Sequence, residues 1–263
     1  MTQKSTMEQG SFSFPSRDEK NHYTSIGALD AAIQQLNANK GDWVAESIAS
    51  RLDFIEQLIH DFADLAPRWV DRMTSVQHIK NDDYAIGSEW LSGPFAVTRY
   101  LRCLQGALRD IKSKGSPRIP GPIKALPNGQ VSAQVFPSTV YDRVLFNGYK
   151  AEVWLKPGVS LEALPRTQAK AYHDRDRSGK VSLVLGAGNV AGIPITDALH
   201  QLFVQDQVVL LKMNPVNDAF GPLVERGFRA LISAGYLQVV YGGAEKGEYL
   251  CRHPGVQEIF LTG

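Results

Sequence analysis

The chain has 263 residues, and 43% of them are hydrophobic, which is enough for a buried core in one large or two small domains. The 28 basic and 27 acidic residues are interspersed and give a formal net charge of +1. The sequence therefore lacks the electrostatic footprint of a protein that binds nucleic acid or an anionic membrane, and we expect small molecules or other protein chains as partners.

The two cysteines, Cys103 and Cys251, lie far apart and in no metal-binding spacing, so the sequence predicts neither a disulfide framework nor a metal site. This cysteine usage fits a reducing compartment. No apolar run approaches the roughly 18 to 20 residues that span a bilayer. The first residues also lack the apolar centre of a signal peptide. We expect a cytoplasmic protein that does not enter a membrane.

The N-terminal part of the chain is predicted to be a tail followed by helices. Residues 1–23 are polar and show no sustained period, which predicts a disordered tail. Over residues 24–114 apolar side chains recur every three or four positions, which predicts packed helices, with a break at the Asn-Lys-Gly-Asp run of residues 39–42 and a last helix over 84–112. Cys103 falls on a face of that helix, where we expect a small buried side chain.

Residues 115–180 follow a different pattern. Four prolines and two glycines in residues 115–128 interrupt helix and predict an extended connector. Short strands are predicted next, at residues 131–135, 140–146 and 151–155, with the Phe-Asn-Gly-Tyr run at 146–149 as a hairpin turn. We therefore interpret residues 115–180 as a connector and hairpin strands.

The last part of the chain, residues 181–263, alternates short apolar strands with amphipathic helices. Such alternation predicts a βαβαβ unit with a parallel sheet and right-handed crossovers, and hence an α/β fold. The predicted strands are 181–185, 207–211, 237–241 and 258–261, and the predicted helices are 193–204, 220–234 and 245–252.

A glycine-rich run at residues 186–192, Gly-Ala-Gly-Asn-Val-Ala-Gly, follows the first of these strands and opens the first helix. This is the context of a dinucleotide-binding turn, because glycines permit a tight turn and let the backbone approach a phosphate at a helix N-terminus. A tight strand-to-helix connection without a ligand is the alternative. The second strand ends near Lys212, and no acidic residue follows it until Asp218, so the usual acidic contact to a ribose is missing.

Three landmarks resemble the coenzyme-binding region of the aldehyde dehydrogenase superfamily. They are a strand that ends in Lys212, the loop from Gly243 to Gly247 after the third strand, and the run His-Pro-x-Val-x-x-Ile-x-x-Thr-Gly at residues 253–263. Asn189 lies 23 residues before Lys212, the separation that this family keeps between its catalytic-site asparagine and its ribose-binding lysine. The resemblance implies a helical N-terminal region, a β-hairpin segment and an incomplete Rossmann-like parallel sheet of the aldehyde dehydrogenase type.

The resemblance also implies roles for individual residues. Asn189 corresponds to the catalytic asparagine whose amide stabilises an oxyanion, and Lys212 to the lysine that hydrogen-bonds the adenosine ribose. Gly243 and Gly247 correspond to the loop that lets the adenine end lie close to the backbone. The alternatives are an asparagine chosen for a tight turn, a solvated lysine at a strand end, and two glycines in a turn that needs no ligand.

The implied cofactor is NAD or NADP. Pro215 stands where the family commonly has a glutamate that grips both ribose hydroxyls, and without that carboxylate a 2′-phosphate would meet no clash. Asn214 is a candidate to take over part of that contact. Thr262 and Gly263, in the closing loop, are the remaining predicted cofactor-binding residues.

The family's nucleophilic cysteine, its general-base glutamate and its pyrophosphate-binding serine would all fall beyond Gly263. We therefore expect the chain to be an N-terminal portion of an NAD(P)-dependent oxidoreductase that is inactive alone, and we do not expect Cys251 to be a nucleophile. In the complete protein the implied substrate is a small aldehyde or acyl group, and the hairpin resembles a segment through which subunits pair as a homo-oligomer. A non-catalytic nucleotide-binding or interaction module is one alternative, and part of an acyl-coenzyme-A reductase is another.

Overall fold

The computed structural model of the chain describes residues 23–80, 82–174 and 178–262. The predicted tail lies outside these residues except for Tyr23, which packs against Gly243. Within the described ranges, no helix is long and apolar enough to cross a membrane, and no group of histidine, cysteine and carboxylate side chains is arranged to hold a metal ion.

Two long helices begin the fold, α1 (Ile26–Ala45) and α2 (Ile48–Val76), each with a serine cap whose side chain accepts a backbone N–H of the first turn. The break predicted at residues 39–42 is wrong, because α1 continues through it to Ala45. The reason is the burial of Trp43, which is fully enclosed and donates its indole N–H to the carbonyl of Leu202 at 3.2 Å. This tertiary packing outweighs the low helix propensity of asparagine and glycine.

The predicted helix over 84–112 is observed as α3 (Asp83–Trp90), a π-helical turn (Leu91–Phe95) and α4 (Ala96–Lys114) in unbroken succession. The wide turn contains Pro94, which lacks a backbone N–H. The expectation that Cys103 is buried is wrong, because its side chain is exposed while those of Leu101 and Leu104 on the same helix face the core.

A three-stranded antiparallel sheet follows, in the order β1 (Ile123–Ala125), β2 (Val131–Phe136) and β3 (Ala151–Trp154). β1 lies inside the predicted connector, and two short helices, α6 (Leu164–Thr167) and α7 (Lys170–His173), come after β3. The prediction of hairpin strands is therefore confirmed for β2 and β3, whereas the sequence did not predict β1, α6 or α7.

The strand predicted at residues 140–146 is wrong, because these residues form helix α5 (Val140–Leu145). Thr139 and Asp142 make a capping box, in which each side chain accepts the other residue's backbone N–H. The predicted turn at Phe-Asn-Gly-Tyr is present, with the N–H of Tyr149 donating to the carbonyl of Phe146 and Gly148 at a φ of +86°. It joins α5 to β3 instead of joining two strands.

The parallel sheet of the last part is confirmed. Its strands are β4 (Val181–Leu185), β5 (Val208–Lys212), β6 (Leu237–Val240) and β7 (Glu258–Leu261), in the spatial order β6-β5-β4-β7. Its connections are α8 (Ile193–Phe203), a 3₁₀ turn (Asp218–Phe220) with α9 (Gly221–Gly227) and α10 (Arg229–Ser233), and α11 (Ala244–Arg252).

Helices cover both faces of this sheet. On one face α2 and α4 pack against α8, α9 and α10, and on the other α1 packs against β4, β5 and β6. Tyr249 of α11 hydrogen-bonds Asp30 of α1, so α11 lies on the α1 face. The chain therefore changes face between β6 and β7, which makes the crevice at the carboxyl ends of β4 and β7 the topological switch point, where open α/β sheets bind their ligands.

Candidate functional site

The loops at the carboxyl ends of β4 and β5 are locked together. The N–H of Gly186 donates to the carbonyl of Lys212 at 2.9 Å, and the side-chain amide of Asn217 donates to the carbonyl of Ala187 at 3.1 Å. Any side chain on Gly188 would begin 3.0 Å from the amide of Asn214, which is tighter than ordinary packing. The glycines of residues 186–192 therefore permit the close packing of these two loops, a role that requires no ligand.

Asn189, the predicted catalytic residue, lies on this loop and is exposed. Among the described residues its side-chain amide has no hydrogen-bond partner, so it is free to donate to a group outside the chain. Three residues later, Gly192 passes the π-helical turn so closely that a Cβ would lie 2.6 Å from the carbonyl oxygen of Ser92. The loop that carries Asn189 is thus held from both of its ends.

Lys212 ends β5 with its side chain only 7% exposed. Within the described ranges its ammonium makes one long hydrogen bond, 3.4 Å, to the carbonyl of Met213. Burial lowers the pKa of Lys212 below its usual value, and the nearby Cys251 and Asp218 partly oppose that change. A buried ammonium whose one hydrogen bond to the described residues is weak retains donor capacity for a hydroxyl group that approaches it.

Gly243 and Gly247 lie at the start of α11, beside Lys212. Gly243 is the residue that caps the helix, and its carbonyl accepts the N–H of Gly247 at 3.1 Å. The Cε of Lys212 lies 3.6 Å from the position that a Cβ on Gly247 would occupy. The predicted ribose lysine and the predicted adenine loop are therefore adjacent, although 31 or more residues separate them in sequence.

Asn214 has partners inside the protein. Its side-chain oxygen accepts the backbone N–H of Val216 at 3.0 Å, and its amide packs on Gly188. These contacts shape the turn after β5. The ribose contact expected of Asn214 stays a prediction.

Thr262 lies at the carboxyl end of β7, where its hydroxyl hydrogen-bonds the carboxyl of Asp197 on α8. Asp197 is 8% exposed, and its second oxygen has no partner among the described residues. Burial raises the pKa of Asp197, an effect that the Thr262 hydroxyl and the nearby His200 partly oppose. Gly263, the other predicted residue of this loop, lies outside the described residues.

Sequence reasoning missed Asp197, Asn217 and Tyr23. Asn217 and Asp197 are buried polar residues whose partners lie 30 and more residues away, and Tyr23 sits in the predicted tail. The one available signal was the asparagine pair of the Asn-Pro-Val-Asn run after Lys212, which is a turn pattern.

Solved structures of aldehyde dehydrogenases share this architecture. An aldehyde dehydrogenase from Bartonella henselae matches with a TM-score of 0.54 and 14% identity, over 90% of this chain and 39% of that one. The chain has an aldehyde-dehydrogenase-type fold. An NAD-dependent benzaldehyde dehydrogenase from Corynebacterium glutamicum gives a TM-score of 0.54 at 14% identity, over 92% of this chain and 41% of that one.

A glyceraldehyde-3-phosphate dehydrogenase from Methanocaldococcus jannaschii, solved in complex with NADP, also matches with a TM-score of 0.54, at 10% identity, over 90% of this chain and 41% of that one. The chain thus spans about two fifths of the length of these three aldehyde dehydrogenases. The sequence matches no protein-family model and no curated protein. The aldehyde-dehydrogenase-type fold therefore rests on architecture, and the predicted site residues stay predictions.

Proposed function

We propose that the chain binds the adenosine half of a nicotinamide coenzyme, NAD or NADP, in an oxidoreductase of the aldehyde dehydrogenase type. The observation that carries this proposal is the position of Lys212. Its ammonium is buried at the carboxyl end of a parallel strand and makes one weak hydrogen bond among the described residues, and its Cε lies 3.6 Å from the position that a Cβ on Gly247 would occupy. Such a group gains most from hydrogen bonds to the hydroxyls of a ribose, because little water remains to compete.

The surrounding residues fit an adenine nucleotide. Gly243 and Gly247 leave the surface of α11 open to a flat group, and their helix N-terminus favours a neighbouring phosphate. The solved relatives in fold include one in complex with NADP and one described as NAD-dependent, which supports a nicotinamide coenzyme without choosing between the two.

In the complete protein we propose that the substrate is an aldehyde or an acyl group. When bound, the nicotinamide ring would exchange a hydride with the substrate carbon. The amide of Asn189 is exposed and has no hydrogen-bond partner in the part of the chain that the structure describes, and in this role it donates to the carbonyl oxygen as negative charge develops there. The 263-residue chain by itself is proposed to bind nucleotide without turnover.

Titration of the 263-residue protein with ADP-ribose, NAD and NADP tests this function. Wild type is expected to bind ADP-ribose, and Lys212→Met to bind it about 10- to 100-fold more weakly, since a hydrogen bond from a charged donor is worth about 1.5 to 3 kcal/mol. Lys112→Ala, on the exposed side of α4, is the matched control and keeps wild-type affinity. No binding by wild type, or equal binding by Lys212→Met, would refute the proposal.

The substrate class needs a separate assay. A protein that contains the nucleophile is assayed with a free aldehyde and NAD(P), and separately with an acyl-coenzyme-A and NAD(P)H. Turnover of the aldehyde would indicate an aldehyde dehydrogenase, and turnover of the acyl-coenzyme-A would indicate an acyl-coenzyme-A reductase. Nucleotide binding without turnover of either substrate would favour the alternative of a non-catalytic module.

We also propose that the antiparallel sheet and α5 pair subunits. Large apolar side chains are exposed there, on α5 (Val140, Tyr141, Val144 and Leu145) and on the edge strand β3 (Val153 and Trp154). Patches of this kind on a water-soluble surface mark interaction sites. Sedimentation of wild type against Tyr141→Lys/Trp154→Lys tests the pairing, and a monomer in both cases would contradict it.

A further inference from the structure

Tyr23 and Thr24 tie the start of the described chain to the carboxyl end of β6. The N–H of Thr24 donates to the carbonyl of Tyr241 at 3.0 Å, and the N–H of Tyr241 donates to the hydroxyl of Thr24 at 2.9 Å. These two bonds fix the backbone next to Tyr23 at the point where β6 leads into Gly243 and α11. The position of Tyr23 is thus set by the sheet that builds the candidate site.

The ring of Tyr23 stands over Gly243. Its hydroxyl lies 3.7 Å and its Cε2 4.0 Å from the position that a Cβ on Gly243 would occupy. The side chain is nevertheless 38% exposed, so part of the aromatic surface is uncovered. A half-exposed tyrosine ring therefore lies beside the backbone of Gly243 at the start of α11.

Tyr23 and Lys212 flank the same helical turn. Gly243 and Gly247 are one turn of α11 apart, about 6 Å along the axis. Tyr23 lies next to the side-chain position of the first of these glycines, and Lys212 lies next to that of the second. A nucleotide whose ribose hydroxyls bind the ammonium of Lys212 can therefore lay its base along this turn toward the tyrosine ring.

We propose that Tyr23 is a wall of the adenine subsite and that the base packs against its ring. This inference rests on the proposed function, since it takes Lys212 as the ribose contact. Every nucleobase presents a flat π-face, and stacking on an aromatic side chain is a common way of holding one. The residue contributes binding through its ring, so the phenolic hydroxyl is dispensable.

Calorimetric titration with AMP, which carries the base and ribose without the nicotinamide, tests Tyr23 in the 263-residue protein. Tyr23→Ala is expected to weaken AMP binding about 5- to 100-fold, the range for loss of one base–aromatic stack. Tyr23→Phe and Tyr23→Trp keep the affinity within about twofold. Tyr84→Ala removes a tyrosine that is 89% exposed on α3 and serves as the matched control.

The outcomes separate the two proposals. Wild-type affinity in Tyr23→Ala, while Lys212→Met has lost binding, would overturn the role of Tyr23 and leave the proposed function standing. Loss of affinity in Tyr23→Phe as large as in Tyr23→Ala would also overturn it, because the ring would then not be the binding element. If wild type binds neither AMP nor ADP-ribose, the proposed function fails and Tyr23 fails with it. Thermal unfolding of each variant identifies any loss of binding that comes from loss of folding.

Discussion

Lys212 lies along the backbone of Gly247, with its Cε 3.6 Å from the place where a side chain on that glycine would begin. The distance is that of ordinary van der Waals contact, so the protein itself has room for a methyl group at position 247. Packing within the folded chain therefore does not require a glycine at position 247. It leaves open the space beside the ammonium of Lys212, which is the space that a bound ribose would use.

Gly247→Ala is accordingly expected to separate stability from binding. Inside helix α11 the substitution raises the free energy of unfolding by about 0.4 to 1 kcal/mol, because alanine has less conformational freedom to lose. The same methyl group narrows the approach to Lys212, so the affinity for ADP-ribose falls. Urea unfolding gives the free energy of unfolding, and calorimetric titration of the same preparation gives the affinity for ADP-ribose. A variant that is more stable and binds as tightly as wild type would argue against a ribose at this position.

Lys212→Met is expected to gain stability in a pH-dependent way. Burial lowers the pKa of Lys212, so between that lowered value and the usual value of 10.5 the unfolded chain binds more protons than the folded one. The stability of wild type therefore rises with pH through this window, and the cost of the buried charge is largest below it. Methionine removes that cost. The difference in unfolding free energy between variant and wild type should shrink as the pH approaches 10.5, and a difference independent of pH would contradict the assignment.

The parallel sheet could be predicted from the sequence because its signals are local. Buried strands such as Val208–Lys212 are short apolar runs, and the helices between them carry an apolar face at the helical period. Helix α5 was missed for the opposite reason. Its residues Val140, Tyr141 and Val144 are of types that favour strands, but their side chains are exposed and do not pack against a second sheet layer. The Thr139–Asp142 capping box stabilises the helix instead.

The residues of the candidate site also separate into those with a signal in the sequence and those without one. Lys212, Gly243 and Gly247 could be proposed because the sequence around them resembles the landmarks of aldehyde dehydrogenases, and the structure brings the three together. Asp197 and Tyr23 could not be proposed from the sequence, because no local pattern predicts that Asp197 lies beside Thr262 or that Tyr23 lies beside Gly243. Such contacts depend on which face of the sheet each helix covers, and that is fixed only by the assembled fold.

Gly192→Ala is expected to be strongly destabilising. A Cβ at this position would lie 2.6 Å from the backbone carbonyl oxygen of Ser92, and backbone on both sides of that contact cannot yield as a flexible side chain would. Overpacking of this kind costs about 1 to 3 kcal/mol. Gly106→Ala is the matched control, because Gly106 lies in helix α4 with nothing but the nearby backbone of that helix within 4 Å of the added methyl group, and it should gain stability. Equal unfolding midpoints in urea for the two variants would show that the π-helical turn does not press on the loop of Asn189.

Alanine substitution should destabilise the protein at Asn217 but not at Asn189, although both residues follow strands of the same sheet. Asn217→Ala leaves the carbonyl of Ala187 without its buried donor and is expected to lower the free energy of unfolding by about 1 to 3 kcal/mol. Asn189→Ala removes an exposed amide with no partner among the described residues, so its stability should stay within about 0.5 kcal/mol of wild type. Its affinity for ADP-ribose should also be unchanged, because the proposed contact of Asn189 is to the reacting carbonyl and not to the adenosine. Denaturant unfolding and ADP-ribose titration of both variants measure these effects. A destabilised Asn189→Ala would mean that this asparagine serves the turn, and the oxyanion role would then lose its support.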